Sequence, residues 1–301
     1  MGPLLLILTT IIWGTAFLAQ KFAADSFGPF ALTAIRNSLA GVFLVGCVFL
    51  RGRSRLPHGE RLRSSAVAGV WCGLPLFAAM VAQQFGIEHT TPGICAFLTT
   101  NYIVFVPLFA AILTLTFPRW YIVIGVVLAM SGTYFISVSN ETFGIGRGEA
   151  WSLLCAMLFS VQMIVVARVC PCSDVLVVSA VQMFVSAALS LPFAFLPSEL
   201  PRLAAFSFSW STIWPVLYCG VMSSGVAYTL QNFGQARTPA ALAAVLLSLE
   251  SVFGALSGYV FLGDLMSVRQ VLGCALVFVA VVLTQLADSI SSWRVANGRD
   301  A

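Results

Sequence analysis

Charged residues are scarce in this sequence. Lys, Arg, Asp and Glu make up 9% of the 301 residues, whereas a soluble domain carries about 25%. The sequence has a single Lys and two His, while 59% of its residues are hydrophobic. Because so few charges cannot cover a water-exposed surface, a soluble globular domain is excluded, and lipid is expected to surround most side chains.

Motifs for several kinds of chemistry are also missing. Without a G-x-x-x-x-G-K-[ST] loop, the chain is not expected to pump with ATP on its own. The absence of H-E-x-x-H, of a G-x-S-x-G elbow and of an intramembrane Asp pair argues against a protease or an acyl-transfer enzyme. No basic tract with interleaved aromatic residues suggests nucleic acid. We therefore predict no enzyme activity, no metal ion, no cofactor and no nucleic-acid partner.

The eight Cys residues do not resemble a disulfide framework. Six of them lie within apolar runs, where Cys behaves as a small hydrophobic residue. Cys170 and Cys172 flank Pro171 with a spacing that metal or redox sites use. Since no second Cys or His pair accompanies them, we interpret this segment as an ordinary loop.

Ten apolar runs are long enough to cross a bilayer, which requires about 20 residues each. The predicted spans are Pro3–Ala23, Phe30–Leu50, Ser65–Phe85, Gly93–Leu115, Trp120–Val138, Gly148–Ala167, Val175–Leu196, Trp210–Leu230, Ala240–Phe261 and Val268–Leu286. The sequence thus predicts an all-α membrane protein with ten transmembrane helices. Residues 288–301 are predicted to form a polar, loose cytoplasmic tail.

The basic residues are distributed unevenly between the two sides of this arrangement. One side, which includes both termini, holds Arg51, Arg53, Arg55, Arg61, Arg63, Arg119, Arg168, Arg237, Arg294 and Arg299. The other side holds Lys21, Arg147, Arg202 and Arg269. Since the cytoplasmic side carries the excess of Lys and Arg, both termini are predicted to be cytoplasmic.

An internal repeat links the two halves of the chain. QQFGIEHTTPGICAFLTTNYIVFVPL, residues 83–108, matches QNFGQARTPAALAAVLLSLESVFGAL, residues 231–256, at an offset of 148. Nearer the start, Ala34–Asn37 aligns with Ala180–Met183 at an offset of 146. We therefore divide the chain into a first five-helix repeat, residues 1–140, and a second, residues 141–287.

Five crossings are an odd number, so the second repeat must enter the membrane from the opposite side. The loop charges agree, because the first repeat's Arg-rich loop at residues 51–63 corresponds to a stretch at 197–209 with only Glu199 and Arg202. The repeats are therefore predicted to be inverted. Inverted repeats around a site near the bilayer midplane are typical of secondary transporters.

Two ionisable residues lie inside predicted spans, where each charge needs a partner or a water-filled cavity. Arg36 is six residues into the second span and could snorkel outward, cap neighbouring carbonyl groups or contact an anionic substrate. Glu250 lies near the middle of the ninth span. It could bind a proton, pair with a cationic group, or fix helix packing as a neutral or hydrogen-bonded residue. Tyr102, its partner in the repeat, is a second midplane candidate.

The remaining candidates for a substrate or ion pathway are uncharged. Trp13, Phe17 and Gln20 share one helix face at i, i+4 and i+7, which could line a cavity or simply pack. Gln83, Asn101 and Gln182, the repeat partner of Arg36, are polar residues in or at the ends of spans. Such amides either join helices within a bundle or contact a ligand.

The run LLSLESVFGALSGYVFLGDLMSVRQVLGCALVFVAVVL, residues 246–283, resembles the second-half signature of the EamA family of the drug/metabolite transporter superfamily. In the first half, Trp13-Gly14, Arg36 and GIEHTTPGICAFLTTNYIVFVPL, residues 86–108, are similar as well. Asp264 departs from the family, which usually has Glu there. The resemblance implies a ten-helix carrier of the bacterial inner membrane, commonly an exporter of amino acids or other small metabolites.

The leading hypothesis is a secondary transporter that exports a small organic metabolite by alternating access, driven by the solute's gradient or by proton exchange. Its partners would be the lipid bilayer, the substrate and possible coupling protons. The alternative is a membrane sensor or structural component that binds a small ligand without moving it. The sequence leaves the substrate, the coupling ion and the oligomeric state open.

Overall fold

The computed structural model describes residues 1–51, 59–90, 92–115, 117–137, 146–262 and 267–296. Among the predictions above, those for Arg53, Arg55, Val138, Asp264 and Arg299 lie outside these ranges. Within them the chain is helical and has no strand, as an all-α fold requires. Nine helices in the described part of the chain are long and apolar enough to cross a membrane, and Trp120–Ser137 is a shorter apolar helix.

The helices follow one another with short connections. In the first half they are α1 Gly2–Ala24, α2 Pro29–Leu50, α3 Glu60–His89, α4 Pro92–Thr100, α5 Tyr102–Thr114 and α6 Trp120–Ser137. In the second half they are α7 Arg147–Val169, α8 Val175–Ser190, α9 Leu200–Ala204, α10 Trp210–Leu217, α11 Tyr228–Gln235, α12 Ala240–Leu247, α13 Leu249–Ser257 and α14 Val268–Ala296. The last helix runs ten residues beyond the predicted end at Leu286, so the segment expected to be loose is helical as far as Ala296.

Three spans are not regular α-helices along their whole length. α4 and α5 meet at Asn101, and α12 and α13 meet at Ser248. α10 and α11 are joined by a π-helical segment, Tyr218–Ala227. Asn101 donates its amide to the carbonyl groups of Phe97 and Leu98, which satisfies acceptors that the break would otherwise leave exposed.

The most extensive packing joins helices from different halves of the chain. α3 packs on α7 and α8, α2 on α8, α1 on α13, and α6 on α14. The exterior is apolar, with large exposed side chains such as Leu115, Phe117 and Trp120. Gln, Asn, Ser and Thr residues are instead numerous among the buried side chains. This distribution is the one that a lipid surrounding favours.

Contacts join the two halves of the chain at both faces of the bundle. One face carries Arg51, Arg61 and Arg237, and we call it the Arg-rich face. There Arg51 forms an ion pair of 2.8 Å with Asp174, the N-cap of α8. On the opposite face, the buried Glu199 carboxylate accepts hydrogen bonds from the backbone N–H groups of Phe30 and Ala31 at the start of α2. Acidic groups at the N-termini of these helices are favourable because the helix dipole is positive there.

α6 and α14 cross so closely that their backbones are in contact. A Cβ atom on Gly273 would lie 2.6 Å from the carbonyl oxygen of Gly132, and the reverse distance is the same. Since backbone cannot move aside as a flexible side chain can, both positions require glycine.

We predict that Gly273→Ala lowers the temperature of thermal unfolding in detergent, because overpacking a close contact costs about 1–3 kcal/mol. Gly46→Ala is the matched control, since nothing lies within 4 Å of a Cβ atom there. It should leave the unfolding temperature unchanged or raise it slightly through helix propensity. Equal effects of the two substitutions would show that the α6–α14 crossing is not tightly packed.

Candidate functional site

A small buried cavity lies where the broken and π-helical spans meet α1, α2, α3 and α7. Its volume is about 30 Å³, room for about two water molecules. The lining side chains are Trp13, Phe17, Gln20, Arg36, Gln83, Thr99, Tyr102, Phe159, Met163, Ser223, Tyr228, Gln231, Leu247 and Glu250. The void is too small for a metabolite, so a solute can occupy this place only if the surrounding helices separate.

Arg36 contributes a buried cation to the cavity, with 3% of its surface exposed. Its guanidinium donates from Nε to Ser224 Oγ at 2.9 Å, from Nη1 to Gln20 Oε1 at 3.1 Å and from Nη2 to Ser223 Oγ at 3.0 Å. All three acceptors are neutral, and within the described ranges no carboxylate forms an ion pair with Arg36. The side chain therefore presents positive charge to the cavity rather than snorkelling to a face.

The π-helical segment positions both serine partners of Arg36. Ser223 and Ser224 are consecutive residues, yet both hydroxyl groups accept from the same guanidinium. Insertions of π-helix occur often at functional sites because they redirect side chains. Trp13 reinforces this wall by donating from its indole nitrogen to the Ser223 carbonyl oxygen at 3.3 Å.

Glu250 lies on the other side of the cavity, at the start of α13. Its Oε1 accepts a hydrogen bond of 3.0 Å from the Tyr102 hydroxyl and one of 3.3 Å from Thr100 Oγ1. Tyr102 and Glu250 are repeat partners at the offset of 148 and are in direct contact. The break before each residue places both at the first turn of a new helix, where their side chains turn inward.

Aromatic rings form the remaining walls. The Trp13 and Tyr228 ring centroids are 4.8 Å apart, and those of Phe159 and Tyr228 are 6.5 Å apart. Trp13, Phe17 and Gln20, predicted to share a face of α1, all line the cavity. Of the two interpretations of that face, the structure supports the one in which it borders a cavity.

Two of the eight predicted residues do not line the cavity. Asn101 donates to carbonyl groups of its own helix. Gln182 is fully buried on α8, and neither of its amide atoms has a hydrogen-bond partner within the described residues. Trp13, Gln20, Arg36, Gln83, Tyr102 and Glu250 do line it.

Residue counts along the two spans predict different depths for Arg36 and Glu250. Both border the same cavity. The estimate counted residues along each helix to the Cα atom, whereas the Arg36 guanidinium extends several bonds beyond it.

Sequence reasoning missed the partners of the two charged groups. Ser223, Ser224 and Thr100 are small hydroxyl residues, which occur in many transmembrane helices without a functional role. One available signal was the adjacent serine pair between Gly220 and Gly225 in an otherwise apolar span. Tyr228, Phe159 and Met163 carry no signal that distinguishes them from packing residues.

An all-helical fold with an apolar exterior and a buried polar cavity is that of a polytopic membrane protein. The chain belongs to the EamA-like transporter family, whose model matches residues 1–138 and 146–286. Family membership identifies it as a membrane transporter.

Several relatives align over most of the chain. An uncharacterized transporter of Archaeoglobus fulgidus is 29% identical, with 93% of this chain and 84% of the relative covered. The uncharacterized transporter YoaV of Bacillus subtilis is 20% identical, with 94% and 96% covered. A crystal structure aligns with a TM-score of 0.76 at 22% identity, covering 95% of this chain and 96% of the other, which shows a shared fold.

Proposed function

We propose that the chain is a secondary transporter of ten transmembrane helices, arranged as two inverted repeats, residues 1–140 and 141–287. Two matched ranges of nearly equal length, 138 and 141 residues counted from their bounds, support this division. The packing also supports it. Exchanging the two repeats turns the contact of α1 with α13 into a contact of α7 with α5, and both of these contacts are present. The α2–α8 and α6–α14 contacts each join equivalent helices, so the exchange leaves them unchanged.

The observation that carries the proposal is the pairing of residues around the cavity. At the offsets of 146 and 148, ten of the fourteen lining residues form repeat pairs. These pairs are Trp13/Phe159, Phe17/Met163, Gln83/Gln231, Thr99/Leu247 and Tyr102/Glu250. Equivalent residues meet only near the axis that relates two repeats, so the cavity is where the halves rock against each other.

The four lining residues without such a partner define the substrate-binding chemistry. They are Arg36, its hydrogen-bond partners Gln20 and Ser223, and Tyr228. A guanidinium without a carboxylate partner matches the carboxylate of a solute. Glu250, across the same cavity, matches an ammonium group. The favoured substrate is therefore a small zwitterion such as an amino acid, enclosed by aromatic walls.

The chain is further proposed to export its substrate across the bacterial inner membrane and to have both termini in the cytoplasm. The basic residues support this orientation, since Arg51, Arg61 and Arg237 border one surface pocket. Gly2 lies beside Thr238 and Arg237, which places the N-terminus at the same face. The contacts between the halves at both faces and the small volume of the cavity support an occluded state of an alternating-access cycle, with Glu250 as the group that exchanges a proton.

Proteoliposomes provide the test. The purified protein is reconstituted into vesicles, and separate samples are loaded with each of the twenty standard amino acids. At least one sample should accumulate the matching radiolabelled amino acid by counterflow. Protein-free vesicles are the control. If no amino acid exchanges with or without an imposed pH gradient, the proposed substrate class and the proposed coupling are both wrong.

A further inference from the structure

Three buried amide side chains extend from the cavity toward the Arg-rich face. Gln231, which lines the cavity, donates its Nε2 to Gln235 Oε1 at 2.9 Å and to Gln162 Oε1 at 3.3 Å. Gln235 in turn donates to the Met163 carbonyl oxygen at 3.2 Å. Each of the three Gln residues is at most 2% exposed. They form a continuous hydrogen-bonded group, which we call the amide cluster.

Hydrogen-bonding capacity in the amide cluster remains unused. Within the described residues, neither Gln231 Oε1 nor Gln162 Nε2 has a hydrogen-bond partner, although both atoms are buried. Buried polar groups are rarely left unpaired, because desolvation is costly without a partner. One acceptor and one donor of the amide cluster, which reaches the cavity through Gln231, are therefore available to a further partner.

A surface pocket lies near the amide cluster along the chain. A pocket of about 260 Å³ on the Arg-rich face is lined by residues that include Phe233, Ala236 and Arg237. Gln235 lies between Phe233 and Ala236 in the chain. Gln231 lines the cavity, and Gln235 ends α11 directly before Ala236 and Arg237 of the surface pocket. Phe233 and Ala236 also pack against a hydrophobic cluster there.

Two of the three equivalent positions in the first repeat are apolar, while the counterpart of Gln231 is Gln83, which also lines the cavity. At the offset of 148 the counterpart of Gln235 is Ile87, and at 146 the counterpart of Gln162 is Ala16. Phe17, Ile87 and Cys95 pack together in a hydrophobic cluster at this opposite end of the bundle. Only Gln231 has a polar counterpart in the first repeat, so the complete amide cluster occurs on the side of the cavity toward the Arg-rich face and is not repeated on the opposite side.

We infer that Gln162, Gln231 and Gln235 form a second binding station, at which water and the hydrogen-bonding groups of a small polar solute are held between the Arg-rich face and the cavity. The station supplies an acceptor and a donor together, which suits a solute with both kinds of group. It makes the Arg-rich face the entry side. The inference rests on the proposed transport function, but its main test does not require transport.

Cysteine accessibility tests this route. Gln235→Cys and Gln162→Cys are introduced into a chain in which Cys47, Cys170, Cys172 and Cys274 are replaced by Ser. A charged, membrane-impermeant methanethiosulfonate reagent is then applied to vesicles of each orientation. Arg237→Cys, at an exposed position, shows which vesicles present the Arg-rich face.

Both new thiols are expected to react from the Arg-rich face, and Ile87→Cys, the apolar counterpart, is expected not to. If Arg237→Cys reacts while neither Gln235→Cys nor Gln162→Cys does, or if these two react only from the opposite face, the inferred station is wrong. Gel filtration of each variant establishes that it is folded.

A transport assay separates this inference from the proposed function. Gln235→Leu should slow uptake from the Arg-rich face about tenfold, the loss expected for a buried hydrogen bond. Gln285→Leu is the matched control, because it also removes an amide with a buried Nε2 but lies on α14, outside the amide cluster. If the thiols react but no transport is detected, the proposed function is contradicted and the inferred hydrated route stands. If transport occurs but the thiols do not react, only the route is contradicted.

Discussion

Arg36→Gln is expected to lower the transport rate about a hundredfold while the protein remains folded. Losing hydrogen bonds between a buried guanidinium and a solute carboxylate costs about 3 kcal/mol, which corresponds to about two factors of ten. The neutral partners Gln20, Ser223 and Ser224 can still hydrogen-bond to a Gln side chain or to water. The measurement is the initial rate of amino-acid counterflow in proteoliposomes at equal protein content.

Two further variants distinguish the effect of the Arg36 charge on the transport rate from the effect of its packing. Arg36→Lys keeps the positive charge but not the planar donor geometry, so we expect partial activity. Arg168→Gln removes a charge from an exposed position at the end of α7, and it should leave the rate unchanged. If Arg36→Gln transports as fast as the unmodified protein, the guanidinium does not bind the substrate.

The general form of the fold could be predicted from sequence because hydropathy reports directly on the surrounding solvent. Within the described residues the ten apolar runs are mainly helical, and the exposed side chains are predominantly apolar. The irregular features could not be predicted in the same way. The break at Ser248 lies in an apolar stretch without Pro. The π-helical segment Tyr218–Ala227 follows Pro215 and contains Ser223 and Ser224, but this pattern does not specify a π-helix.

The candidate site was only partly predictable, because sequence shows which residues are unusual but not which distant residues they meet. Arg36 and Glu250 were identified as charges within apolar spans, and Tyr102 through the repeat alone. The serine partners of Arg36 are 187 and 188 residues away along the chain. Gln182, the counterpart of Arg36, lies outside the cavity. Its position depends on helix packing, which no local sequence pattern encodes.

Glu250→Gln is expected to abolish the coupling of transport to a pH gradient. In the unmodified protein one pH unit supplies about 1.4 kcal/mol per proton, enough for about tenfold accumulation of solute at one proton per cycle. A carboxyl enclosed away from bulk water carries its charge at a cost, which a proton or an ammonium group relieves. A Gln amide cannot exchange a proton, although its oxygen can still accept from Tyr102 and Thr100, so folding should be retained.

Glu199→Gln is the control for this experiment, because Glu199 is equally buried, at 3% exposed, but lies at the face of the bundle against the start of α2. Both variants lose one buried carboxyl, yet only Glu250 borders the cavity that the two repeats share. Accumulation in response to an imposed pH gradient should therefore disappear in Glu250→Gln and persist in Glu199→Gln. If accumulation persists in Glu250→Gln, the proton is carried elsewhere, and the contact between Glu250 and Tyr102 then serves only to join the two halves at their common axis.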